Sequence, residues 1–171
     1  EDRKLTLDRD AFESAMKRQR EGSRARSKFK SGMRQDQSFA GFDRVPATTF
    51  AGYDHASVKT RVLALARLEG DDQRPVETSK LSSGDTGWVV VSETPFYLQS
   101  GGQISDTGTL ENDLGFHAAV GDVAVVGSGV RVHTVTVERG EIAAGAPVIA
   151  AIDAARRAAI RRNHTATHLL H

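Results

Sequence analysis

Apolar residues recur along this chain at two different periods, and the change from one to the other divides it. From Asp8 to Lys30 the positions Phe12, Ala15, Met16 and, more weakly, Ala25 fall at near-helical spacing in a proline-free run of good helix formers. Asp8 or Thr6 is placed to cap this helix, and acidic Asp8, Asp10 and Glu13 precede the Lys and Arg residues in the order the helix dipole favours. The stripe is too thin to form a core, so the amphipathic arm is expected to lean on another domain. Between Lys30 and Val45, Ser, Gly, Gln and Asp replace any periodicity, which predicts a linker with disorder in places.

A compact domain is expected from Pro46. Short β-rich runs recur at Thr48–Tyr53, Val58–Leu68, Gly87–Ser92, around Gly115–Val120, and at Val123–Val126, Val130–Glu138 and Pro147–Ile152. Gly84-Asp85, Gly101-Gly102, Gly121-Asp122, Gly127-Ser128-Gly129 and Gly140 punctuate them as turns. The alternation within Val130–Glu138 is imperfect, as expected of a strand covered on both faces. Many short strands between glycine turns point to a mainly β fold, a small barrel or a sandwich. A barrel, closed or partly open, is favoured because closure removes exposed edges. Asp153 then caps a strongly helical Ala-Arg-Arg-Ala-Ala-Ile-Arg-Arg run, with a possible break at Asn163. The expected organisation is a basic helical arm and linker over 1–45, a barrel over 46–152, and the start of a further helical unit over 153–171.

Charge sharpens this division. Residues 1–34 carry 11 Lys and Arg against 6 Asp and Glu, residues 35–155 carry 8 against 16, and Arg156, Arg157, Arg161 and Arg162 follow. A basic arm, an acidic body and a basic tail suit contact with a phosphate backbone at the two ends, or simply two solubilised helices. At 171 residues the chain holds one ordinary domain and an appendage. Cysteine is absent, which excludes disulfides and any thiolate nucleophile or ligand within the chain. No membrane-length apolar run and no leader stand out, so a soluble cytoplasmic protein is expected.

Two segments carry candidate chemistry. His164 and His168 stand four apart and so share a helical face, where two imidazoles can reach one ion. Zinc wants four ligands, or three and a water, so such a site is incomplete here, and ordinary surface histidines are the alternative. His171, at i+7 from His164, is a conceivable third ligand. The other segment runs from Glu93 to Gly108, where Pro95 and Gly101-Gly102 break both helix and strand. It is either an irregular turn or a loop whose glycines let the backbone approach a ligand, with Gln103 and Asp106 supplying polar groups. A zincin metalloprotease is disfavoured because Thr165, not Glu, follows the first histidine.

The segment Pro95-Phe96-Tyr97, Ser100-Gly101-Gly102-Gln103 and Asp106-Thr107-Gly108 resembles the loop signature of alanyl-tRNA synthetases and their freestanding editing relatives. The tail Arg162-Asn163-His164-Thr165-Ala166-Thr167-His168 is similar to the histidine motif of that family's editing domain. The arm residues Leu5-Thr6, Phe12-Glu13, Met16, Gln19-Arg20 and Arg24-Ala25-Arg26 favour the synthetase over a freestanding deacylase, with Ala11 a small departure where glycine often stands. The resemblance implies a translation-protein-like barrel within an alanine-tRNA ligase that charges alanine-specific tRNA and edits serine or glycine mischarging. It implies His164 and His168 as zinc ligands, with a downstream Cys and His completing the site, and Gln103, Thr165 and Thr167 as candidate catalytic groups. Arg156, Arg157, Arg161 and Arg162 are the candidate RNA contacts. ATP and magnesium would belong to an aminoacylation domain before Glu1, DNA and membranes are not expected partners, and this piece alone is expected to be inactive. A tRNA-binding barrel without catalysis is the remaining alternative.

Overall fold

In residues 57–69, buried Val58, Thr60 and Val62 alternate with exposed Ser57, Lys59 and Arg61, and Val62 to Ala66 then run on as unbroken apolar residues, the pattern of a strand covered first on one face and then on both. This strand organises the rest. The computed structural model describes residues 40–98, 104–126 and 130–169, which form a 3-10 turn, Ala40–Phe42, followed by strands and one helix. The strands are β1 (Thr49–Phe50), β2 (Ser57–Glu69), β3 (Arg74–Glu77), β4 (Lys80–Ser82), β5 (Thr86–Val91), β6 (Glu93–Thr94), β7 (Gly108–Glu111), β8 (His117–Val126), β9 (Val130–Arg139), β10 (Glu141–Ala143) and β11 (Pro147–Ile152), and the helix is α1 (Ala154–Leu169). The chain divides into units Glu1–Gln37 and Ser38–His171, and the predicted arm helix lies outside the described residues. No described helix is long and apolar enough to cross a membrane.

The barrel closes because β2 is long enough to pair on both sides. Its N-terminal half pairs with β11, from Ser57 opposite Ala151 to Arg61 opposite Pro147. Its other half pairs with β5, from Val62 opposite Val91 to Arg67 opposite Gly87. The ladder continues from β5 to β9, β8, β7 and β11 and so returns to β2, antiparallel at every step. All-antiparallel closure in six strands leaves no open edge in the ring. β3 extends the end of β2 as a hairpin, β4 pairs with β10, and β1 runs parallel to β6.

Two apolar clusters lie on the two faces of this sheet. Val62, Leu65, Val89, Phe96, Leu110 and Val135 belong to the larger cluster. Phe42, Ala66, Trp88, Val90, Val126 and Val132 belong to the second. β5 therefore reads Gly-Trp-Val-Val-Val without alternation, its successive side chains filling one cluster and then the other. The same double coverage accounts for the imperfect pattern of β9, where Val130 and Val132 join one cluster and Val135 and Val137 the other. Packing also starts before Pro46, since Phe42 is buried in what the sequence presents as linker.

Several expectations change in detail. Gly121-Asp122 is not a turn: β8 runs through it, and the register slips by one residue between Val120 and Asp122, a bulge that re-phases the strand. The five strands without a sequence signal of their own, β3, β4, β6, β7 and β10, are two to four residues long and rich in charged or small residues. The helix passes Asn163 without a break.

Gly108 marks where β7 and β11 come too close for a side chain. A Cβ there would lie 2.0 Å from the Ala151 carbonyl oxygen. Gly108→Ala is expected to destabilise the domain by about 1–3 kcal/mol through forced separation of β7 from β11, measured as a lower urea midpoint at unchanged m value.

Candidate functional site

The Gly-rich loop leaves the barrel through a narrow neck. The Tyr97 amide donates to Asp106 Oδ2 at 2.7 Å, and the Asp106 amide donates to the Tyr97 carbonyl at 3.2 Å. Tyr97 and Asp106 are thus fastened to each other at the two ends of the loop segment. Gln103 lies between them in sequence and outside the described residues. On the exit side the Ser105 hydroxyl donates to Asp122 Oδ1 at 2.6 Å, so the β8 bulge presents the carboxylate that holds the loop.

Helix α1 is fixed to the same neck. Asp153 caps it as predicted, its Oδ1 accepting the Arg156 amide at 2.9 Å, while its own amide donates to the Thr107 carbonyl at 2.8 Å. One turn in, Arg157 Nε reaches both Asp106 carboxylate oxygens at 3.2 and 3.1 Å. Its Nη2 donates to Asp106 Oδ2 and, at 2.6 Å, to the Pro95 carbonyl, and its Nη1 donates to the Gly52 carbonyl at 2.8 Å. Asp106 is 1% exposed. A carboxylate so desolvated is tolerated only with a charged partner and saturated hydrogen bonding, and both are present. Arg156 Nη1 adds a bond to the Ser105 carbonyl at 2.9 Å. Of the arginines predicted to meet RNA, Arg156 and Arg157 therefore engage the neck, whereas Arg161 and Arg162 are exposed.

The clamp also orients the rest of the helix. Positions 157, 161, 164 and 168 follow one another at i, i+4, i+7 and i+11, a single stripe on a continuous helix. His164 and His168 hence occupy helical positions in line with Arg157, with His164 about 10 Å further along the axis. Thr165 and Thr167 fall to either side of that line. His171 lies outside the described residues. Two imidazole positions one turn apart suit a pair of zinc ligands. The chain has no cysteine, and no group of three or more metal-ligating side chains occurs among the described residues.

A sequence model described as tRNA synthetases class II (A) matches residues 1–156. The chain belongs to the class II tRNA synthetase family. It is 42% identical over 168 residues to the alanine–tRNA ligase of Dechloromonas aromatica, covering 98% of this chain and 18% of that protein. It is 39% identical over 170 residues to the alanine–tRNA ligase of Bordetella pertussis, covering 99% and 18%. With that of Geobacillus thermodenitrificans it shares 38% over 167 residues, covering 98% and 18%. This synthetase chain thus spans about 18% of the length of the curated relatives it matches.

The synthetase barrel sets the entry to the loop with a buried histidine that the sequence reading did not single out. His133, in β9, is fully buried with the Phe96 ring edge-on at 5.3 Å. The Val89 carbonyl only accepts, so His133 Nδ1 donates to it at 3.0 Å. Nε2 of the neutral ring then accepts the Thr94 hydroxyl at 2.7 Å, and Thr94 Oγ1 accepts the Phe96 amide at 3.2 Å. Desolvation lowers the His133 pKa from 6.5 to about 4; the Val89 bond opposes this and the charge of Arg131 adds to it.

Two outcomes are expected. Asp106→Ala leaves the Arg157 guanidinium beside an unpaired gap and should cost about 3–5 kcal/mol of stability by urea unfolding. Between pH 6.5 and about 4 the unfolded chain takes up a proton at His133 that the folded chain refuses. Stability therefore falls as pH drops through that window, by up to about 3 kcal/mol from this group, and is fully present above it. His133→Gln keeps a donor and an acceptor, so its urea midpoints on either side of the window should differ less than those of the native chain.

Proposed function

We propose that this chain is part of an alanine–tRNA ligase and forms one wall of a site that hydrolyses tRNA mischarged with serine or glycine. The observation that carries this reading is the Arg157–Asp106 clamp, which fastens the helix of His164 and His168 to the neck of the loop that bears Gln103. Hydrolysis of an aminoacyl ester needs an oriented water and polar groups for the substrate amine and carbonyl. Gln103 on the loop side and Thr165 and Thr167 beside the histidine stripe are the polar groups assigned to these tasks. A hydroxyl there discriminates a serine side chain from alanine by a hydrogen bond.

His164 and His168 would hold zinc together with ligands from outside this chain, and zinc when bound supplies a Lewis acid that anchors or polarises the substrate. Alanine charging, with ATP and magnesium, is assigned to other parts of the ligase. tRNA is the macromolecular partner, with exposed Arg161 and Arg162 the better placed of the four arginines for its backbone. Arg156 and Arg157 serve the neck instead.

The test is deacylation of serine-charged alanine tRNA by the full-length protein. His164→Ala is expected to reduce the rate on the order of 100-fold and to lower bound zinc, as loss of a metal-site residue does. The 171-residue chain alone is expected to be inactive. Full activity in His164→Ala would remove the metal assignment.

A further inference from the structure

Three aromatic rings and one guanidinium meet beside the loop neck without belonging to either apolar cluster. Phe50, at the end of β1, has the Tyr53 ring edge-on at 5.0 Å and the Tyr97 ring at 6.2 Å. The Arg131 guanidinium lies 5.1 Å over the Phe50 ring. Tyr53 is 86% exposed, while Phe50, Tyr97 and Arg131 are half-buried. Arg131 makes no ion pair among the described residues.

This cluster is held in place by the clamp. Gly52, between Phe50 and Tyr53, gives its carbonyl to Arg157 Nη1, and a Cβ on Gly52 would stand 2.2 Å from the Pro95 oxygen and 2.6 Å from the Phe50 ring. The turn that presents Tyr53 is therefore tight and tied to α1. The Tyr97 amide is bonded to Asp106, the other half of the clamp. Both tyrosines thus stand on backbone fixed to the pair that orients the histidine stripe.

We propose that Phe50, Tyr53, Tyr97 and Arg131 form a stacking platform for the unpaired nucleotides at the 3′ end of tRNA. The inference rests on the editing reading above. An ester carried on the terminal ribose reaches the histidine stripe only if the single-stranded end comes with it. Exposed aromatic faces with an adjacent cation are the chemistry that binds unpaired bases without regard to sequence. The acidity of the barrel disfavours a broad phosphate interface, but stacking asks only for ring faces and a local positive charge.

The test uses the full-length protein and serine-charged alanine tRNA. Tyr53→Ala is expected to raise the deacylation KM about tenfold with kcat unchanged, and Tyr53→Phe, which keeps the ring, should retain the native KM. Leu114→Ala removes an apolar side chain of similar exposure, 89%, in the β7–β8 turn and should leave KM unchanged. A native KM in Tyr53→Ala, in an enzyme that deacylates, overturns the platform and leaves the editing site standing. If the native protein does not deacylate, the editing reading fails. Binding of a 5′-labelled single-stranded RNA ending in CCA then decides the platform: weaker binding by Tyr53→Ala supports it, and equal binding overturns it.

Discussion

The Arg157–Asp106 pair is the interaction on which the arrangement of this region depends. Asp106 is nearly inaccessible, and the Arg157 side chain is 14% exposed. Such a pair is weak evidence for stability, because desolvation of both charges offsets much of their attraction. Its value here is geometric. A planar guanidinium with five donors reads the carboxylate, the Pro95 carbonyl and the Gly52 carbonyl at once, and so fixes three segments that are distant in sequence. An apolar contact of the same area would tolerate sliding.

The barrel supplies the rigid frame that makes such a clamp meaningful. β2 closes the ring by pairing on both sides, and close approach at Gly108 brings β7 against β11 just before α1 begins. Asp106 and Arg157 then leave the same edge of the frame, Asp106 two residues before β7 and Arg157 five after β11. On the other side of the loop, the His133–Thr94 bond fixes the strand end from inside the core, where a mobile hydroxyl would otherwise have lost its water. The loop is thereby held at its root.

Much of this was legible in the sequence. β-rich runs between turn signals revealed the long strands β2 and β9, and Asp153 ahead of an Ala- and Arg-rich run marked the start of α1, because both signals are local. The short strands carried none, since two to four residues contain no period, and their pairing is imposed by the long strands around them. Gly121-Asp122 read as a turn because a bulge and a turn use the same residues. Phe42 follows Phe39 by three residues in a stretch with no sustained period, and nothing near it in sequence shows that Trp88 and Val132 await it. The arginines were the hardest case. Composition cannot tell a solvated guanidinium from one that meets an aspartate 51 positions away, and the single clue was Asp106 in the loop motif.

This last point explains why the loop neck and helix α1 are joined although Asp106 and Arg157 lie far apart in sequence. A helix cap alone sets where α1 begins but leaves its rotation free. The Arg157 fork adds the missing constraint, because only one rotation of the helix lets its donors meet carbonyls and carboxylate together. Since positions 161, 164 and 168 follow in line with 157 on the helix, fixing that rotation at Arg157 also fixes the rotational position of 164 and 168 about the helix axis. The buried charge thus does what packing between a glycine-rich loop and an Ala- and Arg-rich helix cannot do, because neither offers enough apolar surface to define a register.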